Sequence, residues 1–267
     1  MASTTQITAQ ATGANNEIRM ILLGKTGTGK SSVGNTILGA KLFEAKLNPN
    51  GVTKQCGSGT RDFEQKRLFI VDTPGFLDPN ITEAAIQEEV GKSYQLTAFP
   101  GPHVFLLVIN PARMTEEEDK ATEYLSKIFG PNAINHTIIV FTRGDEFEEE
   151  ENTLDNYLSQ LPKKASLRKL LEQCSPRYLL FNNKGTEQQK NDSVKNLLQL
   201  ITDMMSKNHD KVYTTDIFEA LAKEIAKEQA KGTFNPVKPD GSYALLPQTK
   251  EIVIDGYLRR TVGRRAN

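Results

Sequence analysis

The sequence predicts an α/β domain built on a mostly parallel six-stranded sheet with one antiparallel edge strand, helices on both faces and a C-terminal helical extension. Short apolar runs alternate with longer amphipathic segments, a pattern typical of parallel sheets covered by helices on both faces. A glycine-rich loop joins the first apolar run to the first helical segment. A short link between Phe63 and Arg67 predicts an antiparallel hairpin at one edge of the sheet.

Each strand is predicted from a short apolar run, and each helix from apolar residues at helical spacing. The strands are Ile18–Leu23, which contains one arginine, the weaker Gln55–Phe63, and then Arg67–Asp72, His103–Ile109, Thr137–Thr142 and Tyr178–Phe181. The helices are Lys30–Leu38, closed by a glycine, and then Glu83–Leu96, Glu116–Phe129, a pair within Thr153–Cys174, Glu187–Lys207 and Thr215–Lys231. Apolar side chains recur on one face of the helix Glu187–Lys207.

The composition is that of an ordinary globular protein. Lysine plus arginine and aspartate plus glutamate number 33 each, so there is no basic excess that would predict nucleic-acid binding. The two cysteines, Cys56 and Cys174, lie far apart and are predicted to be free thiols in a reducing compartment. The polar N-terminal segment lacks the apolar core of a signal peptide, and no apolar run approaches bilayer length. We therefore expect a cytoplasmic protein.

A phosphate-binding loop is predicted at residues 24–31, where GKTGTGKS fits G-x-x-x-x-G-K-[ST] between a strand and a helix. Glycines let backbone N–H groups wrap a polyphosphate without a Cβ clash, and the helix N-terminus adds partial positive charge. Lys30 can reach the outer phosphates, and the Ser31 hydroxyl can ligate Mg²⁺. The residues predicted to hold the phosphates are Gly27, Thr28, Gly29, Lys30, Ser31 and Ser32.

Two further segments predict contacts with magnesium and the γ-phosphate. The run LFIVDTPG at residues 68–75 ends a strand in D-x-x-G. Asp72 can therefore hold Mg²⁺ through a water, and the Gly75 N–H can meet the γ-phosphate and sense its hydrolysis. Thr53, in the loop between the two motifs, can add its hydroxyl to Mg²⁺ when the γ-phosphate is present. The alternatives are that Thr60 does so, or that Thr53 is a plain surface residue.

The loops after the last two strands are predicted to select the base of the nucleotide. The run IIVFTRGD at residues 138–145 ends in T-[K/R]-x-D, and an aspartate there can accept hydrogen bonds from N1–H and the exocyclic amine of guanine. Adenine offers no such pair, so this arrangement selects guanine. The alternative is a solvated acidic loop. The residues predicted to contact or support the base are Thr142, Arg143, Asp145, Asn182 and Asn183.

Together these motifs resemble those of the GIMAP family, the GTPases of immunity-associated proteins, which are similar to septins and to chloroplast Toc receptors. Residues 18–39 resemble the opening segment of that family almost throughout, PGPHVFLLVI at residues 100–109 resembles its conserved box, and residues 177–183 also fit. The resemblance spans residues 17–207 and implies a P-loop GTPase fold whose G domain binds GTP or GDP with Mg²⁺.

Two features of the sequence bear on the predicted roles. Many relatives end the base motif one residue later, so either Asp145 or Glu146 could meet guanine. Ras-type switches carry a water-orienting glutamine just after D-x-x-G, whereas this chain has Phe76, which predicts slow intrinsic hydrolysis. The resemblance implies pairing of two GTP-bound domains, in which Arg113 could act as an arginine finger in trans. A surface arginine at a helix start is the alternative.

The leading hypothesis is therefore a slow GTPase regulated by nucleotide-dependent dimerisation, with Arg113, Thr53 and Gly75 as its catalytic residues. A GTP-dependent self-assembling scaffold with negligible hydrolysis is the alternative, and Asp145 argues against an ATPase. Outside the G domain we predict a flexible arm at residues 1–16, a C-terminal helix within 208–231 and an extended, poorly ordered tail at 232–267. Arginines near the C-terminus could contact an anionic membrane, but a solubilising end is the favoured interpretation.

Overall fold

The sheet has the predicted architecture. The structure, a computed structural model, describes residues 16–45, 55–75, 82–98, 100–111, 121–161, 166–174, 177–235, 238, 244–249 and 251–256. The strands of this part of the chain are β1 (Glu17–Leu23), β2 (Gly57–Phe63), β3 (Lys66–Asp72), β4 (Val104–Ile109), β5 (Thr137–Phe141) and β6 (Tyr178–Leu180). Their order is β2-β3-β1-β4-β5-β6, and β2–β3 is antiparallel whereas the other pairs are parallel. The predicted fold class is confirmed.

The helices also follow the sequence closely. They are α1 (Lys30–Leu38), α2 (Glu83–Thr97), α3 (Ala121–Phe129), α4 (Gly144–Glu149), α5 (Leu154–Ser159), α6 (Ser166–Cys174), α7 (Glu187–Lys207) and α8 (Asp216–Ala230), with 3-10 turns at Pro131–His136 and Pro247–Thr249. The predicted start of the third helix at Glu116 lies outside the described residues. Helix α4 was not predicted: the acidic segment after the base motif is helical rather than a loop. Acidic side chains in its first turn suit the positive end of the helix dipole.

The sheet is buried on both faces, which explains its uninterrupted apolar strands. Along β1, Met20 and Leu22 join one core cluster with side chains of α1 and α7. The alternate residues Ile21 and Leu23 join the cluster on the other face, with side chains of α2, α3 and α8. Because the carboxyl ends of five parallel strands meet at one edge of the sheet, the loops that follow them form the rim where ligands bind in such folds.

The C-terminal segment corrects the prediction of an extended tail. Helix α8 buries its apolar face, and the ring centroids of Tyr94 and Phe218 lie 4.4 Å apart. Beyond it, residues 251–256 are helical, and Leu246 and Val253 are buried in the same core cluster. The described part of the tail therefore packs on the domain, because these apolar side chains find a surface formed by α2 and α8. The C-terminal arginines lie outside the described residues.

Cys56 and Cys174 are both free thiols, as expected. Burial raises the pKa of the Cys174 thiol to about 11, which makes it a poor nucleophile. Among the described residues, no helix combines the length and the apolar character that crossing a membrane requires.

Candidate functional site

The glycine-rich loop turns the chain from β1 into α1. Its last residue, Gly29, has φ 98°, in the left-handed region that favours glycine. Within the part of the chain that the structure describes, no side chain caps the start of α1. An uncapped helix start that follows a glycine turn is the arrangement found in helix-terminal phosphate sites.

The Lys30 ammonium lies against this loop rather than in solvent. Its Nζ donates hydrogen bonds to the backbone oxygens of Gly24, at 3.1 Å, and Lys25, at 2.9 Å. The residue is only 6% exposed, so its charge is held close to the loop carbonyls. A polyphosphate in the loop would find a positive charge already in place.

Two side-chain oxygens that could ligate a metal ion lie close together beside Lys30. The Ser31 hydroxyl donates a hydrogen bond of 2.6 Å to Oδ2 of Asp72, which is 1% exposed at the carboxyl end of β3. Hard cations such as Mg²⁺ prefer carboxylate and hydroxyl oxygens together with phosphate oxygens and water. The donor set therefore fits Mg²⁺, with Ser31 and Asp72 as the residues that would hold it.

The D-x-x-G segment lies directly on the glycine-rich loop. A Cβ added to Gly75 would stand 2.2 Å from Oγ1 of Thr26 and 2.5 Å from its backbone nitrogen, so a larger side chain cannot fit without displacing one segment. Two residues earlier, the Thr73 hydroxyl donates to the Leu22 oxygen at 2.6 Å. The close approach places the Gly75 backbone next to the predicted phosphate loop.

The base motif is held against the same loop. The Thr142 hydroxyl donates to the backbone oxygens of Thr28, at 2.9 Å, and Ile109, at 3.3 Å. The loop after β6 is anchored in a similar way, because the Thr36 hydroxyl of α1 donates to the side-chain oxygen of Asn183 at 2.8 Å. Hydrogen bonds thus join the base motif to the glycine-rich loop, and the loop after β6 to helix α1.

The two acidic candidates for guanine have different surroundings. Asp145 lies in the first turn of α4, with a side chain 13% exposed, and forms an ion pair with Lys184 from the loop after β6. The hydrogen bond with Asp145 and the negative charge of the Asp145 carboxylate raise the pKa of Lys184. The Glu146 side chain is 40% exposed and pairs at 3.0 Å with Arg143, the residue that precedes the same helix. Asp145 is therefore the more enclosed carboxylate.

Comparison with known proteins identifies the family. Residues 18–232 match the model of the AIG1 family. The chain belongs to the AIG1 family. It is 36% identical over 219 residues to immune-associated nucleotide-binding protein 9 of Arabidopsis thaliana, covering 81% of this chain and 64% of that one. It is 34% identical over 245 residues to GTPase IMAP family member 8 of Rattus norvegicus, covering 91% of this chain and 34% of that one. The chain thus spans less than two thirds of either relative, and the resemblance to the GIMAP family is confirmed.

Solved structures support the fold of this AIG1-family chain. A dimerization-deficient mutant of Toc33 from Arabidopsis thaliana aligns with a TM-score of 0.51 and 17% identity over 70% of this chain and 85% of that one. Toc33 in complex with GDP and Mg²⁺ aligns with a TM-score of 0.50 and 19% identity over the same shares of the two chains. At such identities the likeness concerns the fold, which is that of a P-loop GTPase.

Most predicted site residues of this AIG1-family protein fall at the rim, but not all can be located. Ser32 lies half-buried in the first turn of α1, and Asn182 accepts a hydrogen bond from the Lys184 N–H at 3.0 Å. Thr53 and Arg113 lie outside the described residues, as does Phe76. The predicted positions that the structure places at the rim are Gly27, Thr28, Gly29, Lys30, Ser31, Ser32, Asp72, Gly75, Thr142, Arg143, Asp145, Asn182 and Asn183.

Sequence reasoning missed three contacts of the AIG1-family site. Thr26 lies against Gly75, Thr36 anchors Asn183, and Lys184 pairs with Asp145. Thr26 lies within the recognised motif, so its position was an available signal, whereas Thr36 lies beyond the motif, near the end of α1. Lys184 follows Asn183 directly in the chain, yet its partner lies 39 residues away, and no local pattern could reveal that pair.

Proposed function

We propose that this AIG1-family protein binds GTP and GDP with Mg²⁺ and hydrolyses GTP slowly. The observation that supports the proposal most is the contact between the Thr142 hydroxyl and the Thr28 oxygen, because it brings a base-selecting loop to a phosphate-binding loop. Both halves of a nucleotide then have a partner at one rim. The names of relatives, which include a nucleotide-binding protein and a GTPase, agree with this activity.

Different residues of this chain would bind the phosphates, hold the metal and sense the γ-phosphate. The α1 N-terminus and Lys30 would bind the phosphates, and Ser31 with Asp72 would hold the metal. A magnesium ion bound there would neutralise charge that develops on the β- and γ-phosphate oxygens. Gly75, which lies against Thr26, would sense the γ-phosphate through its N–H.

Asp145 is our choice over Glu146 as the guanine acceptor. Its carboxylate is more enclosed, and it lies at the helix start beside the loop after β6, whose backbone joins α4 through the Gly144 N–H and the Phe181 oxygen at 3.0 Å. Glu146 is more exposed and is paired along its own helix. An enclosed acceptor discriminates better, because a base that cannot pair with it leaves a buried polar group unsatisfied.

Dimerisation belongs to the same proposal. A Toc33 structure is described as that of a dimerization-deficient mutant, and by analogy two GTP-bound copies of this chain would pair across their nucleotide faces with Arg113 reaching the partner's nucleotide. A GTP-dependent scaffold with negligible hydrolysis is the second candidate, favoured by Phe76 in place of a water-orienting glutamine.

Nucleotide binding is tested by thermal unfolding with GTP, GDP, ATP and ADP in the presence of Mg²⁺. A ligand at 100 times its Kd adds about 2.7 kcal/mol to the free energy of unfolding. We expect stabilisation by the guanine nucleotides alone, its loss in Asp145→Asn and its retention in Glu146→Gln. Equal stabilisation by ATP would refute guanine selection, and the reverse behaviour of the two variants would assign the contact to Glu146.

Hydrolysis and pairing are tested together by single-turnover assays at several protein concentrations. A dimer-activated enzyme hydrolyses GTP faster as its concentration rises, and Arg113→Ala should remove that rise while leaving GTP binding unchanged. If a nonhydrolysable analogue drives assembly and GTP is not turned over at any concentration, the scaffold is correct instead.

A further inference from the structure

Lys184 pairs with Asp145 at a carboxylate oxygen that guanine would also need. A bidentate contact with the guanine N1–H and amine uses both carboxylate oxygens of Asp145, and the Lys184 ammonium already donates to Oδ2. The proposed function does not use this lysine. It is therefore a charged group in the proposed base site that still lacks a role.

We propose that Lys184 is a tethered counter-cation that takes the place of guanine at Asp145 and must leave when the base binds. This inference rests on the proposed guanine site and adds to it a residue that sets the affinity for guanine. The ammonium supplies the N–H donors that the base would supply, so it satisfies an enclosed carboxylate until guanine arrives.

The surroundings of Lys184 allow this exchange without moving the loop. Its backbone N–H is bonded to the Asn182 side chain at 3.0 Å, and the next N–H, of Gly185, donates to the Asn182 backbone oxygen at 3.3 Å. The neighbouring Asn183 is held by Thr36 of α1. The Lys184 side chain itself is 69% exposed, so its flexible stem can swing into solvent by rotamer changes alone.

The alternative is that the ammonium stays and donates to O6 of guanine. The two possibilities predict opposite effects of Lys184 on the affinity for guanine. A competitor weakens guanine binding, whereas an O6 donor strengthens it. The geometry favours competition, because the ammonium already donates to Oδ2, one of the two carboxylate oxygens that a bidentate guanine contact uses.

The test measures GDP affinity and association rate for the full chain with Lys184→Met and Lys184→Arg. Exposed ion pairs are weak, so we expect Lys184→Met to bind GDP about two- to fivefold more tightly, through faster association, and Lys184→Arg to behave like the unchanged protein. The gain should shrink at high salt, because salt screens an exposed pair. The matched control is Lys227→Met on α8, which removes an exposed lysine paired with Glu224 and should leave GDP affinity unchanged.

The outcomes separate this inference from the function on which it rests. If the unchanged protein binds no guanine nucleotide, the proposed function fails. If it binds GDP but Lys184→Met has equal or weaker affinity, only the counter-cation role is overturned, and a weaker affinity assigns the O6 contact instead. Because the substituted side chain is largely solvent-exposed, folding of the variants can be verified by unchanged thermal unfolding without nucleotide.

Discussion

The Thr142 hydroxyl donates a hydrogen bond of 2.9 Å to the backbone oxygen of Thr28, so the base motif holds the phosphate loop through a single side chain. Both residues are buried, and the same hydroxyl also lies 3.3 Å from the Ile109 oxygen at the end of β4. Thr142 therefore links the carboxyl ends of β4 and β5 to the loop that follows β1. This link explains why a threonine stands at the strand end of the base motif.

We predict that Thr142→Val loosens the phosphate loop and weakens nucleotide binding. Valine preserves the shape of the side chain but leaves the Thr28 and Ile109 oxygens without their hydroxyl donor. Loss of a buried hydrogen bond costs about 1–2 kcal/mol of unfolding free energy, and a similar loss in the complex lowers GDP affinity about tenfold. Urea unfolding and GDP titration measure the two effects.

The matched control is Thr137→Val at the opposite end of β5, where the hydroxyl donates to the Ala133 oxygen at 2.8 Å. It should lose similar stability with unchanged GDP affinity. Equal GDP affinities of the two variants would show that the Thr142 contact has no part in the site.

We predict that Gly75→Ala uncouples the D-x-x-G segment from the phosphate loop. The new methyl group would overlap Thr26, so one of the two segments must move away. GDP should still stabilise the variant, whereas the additional stabilisation by a GTP analogue should disappear, because the γ-phosphate contact is lost. Thermal unfolding with each nucleotide measures the difference.

The control for this substitution is Gly91→Ala within α2, where, among the described residues, an added Cβ would meet nothing closer than Val253 at 3.9 Å. It should preserve the nucleotide response and raise the unfolding free energy by about 0.5–1 kcal/mol, since alanine is the better helix former. A Gly75→Ala protein that still distinguishes GDP from the analogue would contradict the proposed sensing role.

We predict that Val253→Ala destabilises the domain, because the C-terminal segment is part of its core. Val253 is fully buried in the cluster that contains Tyr94 and Phe218. Removing two methyl groups from such a site should cost about 2 kcal/mol in urea unfolding. Leu245→Ala, at a side chain 38% exposed, is the control and should change stability by less than about 0.5 kcal/mol. Similar small effects at both positions would mean that the segment is not packed in solution.

The sequence predicted the strands well for a physical reason. Each central strand is buried on both faces, so its residues form a continuous apolar run, as in Val104–Ile109. The P-loop was visible because its chemistry fixes residue types at fixed spacing. By contrast, α4 is short and acidic, and its helical state depends on the turn at Arg143, where φ is 68°. Such a left-handed turn at an arginine has no local sequence signature.

The tail and the Lys184 pair were missed for a different reason. Leu246 and Val253 stand in a segment with scattered prolines and no regular apolar pattern, and only the surface formed by α2 and α8 gives them a place to pack. The partner of Lys184 likewise lies in another loop. Both features depend on tertiary contacts, which a single sequence does not encode in any local window.

We predict that His103, which is buried at the opposite edge of the sheet, makes the stability of the protein depend on pH. Its Nδ1 accepts the Arg19 backbone N–H at 3.0 Å, and burial together with the charges of Arg19, His136 and Lys66 lowers its pKa from 6.5 to about 4. His136, whose pKa is also lowered by burial, contributes in the same direction.

The pKa of His103 is lower in the folded protein than in the unfolded chain, so the unfolded chain binds the proton at a higher pH. The contribution of the neutral histidine to the unfolding free energy is therefore fully present above pH 6.5 and is lost as the pH falls towards 4. The loss from His103 alone amounts to about 3 kcal/mol. In urea unfolding at a series of pH values, His103→Asn, whose amide oxygen can still accept from Arg19, should flatten the curve between pH 4 and 6.5. His209→Asn, at an exposed histidine, is the control for the substitution itself. Parallel curves for the unchanged protein and His103→Asn would show that His103 is protonated as easily in the folded protein as in the unfolded chain.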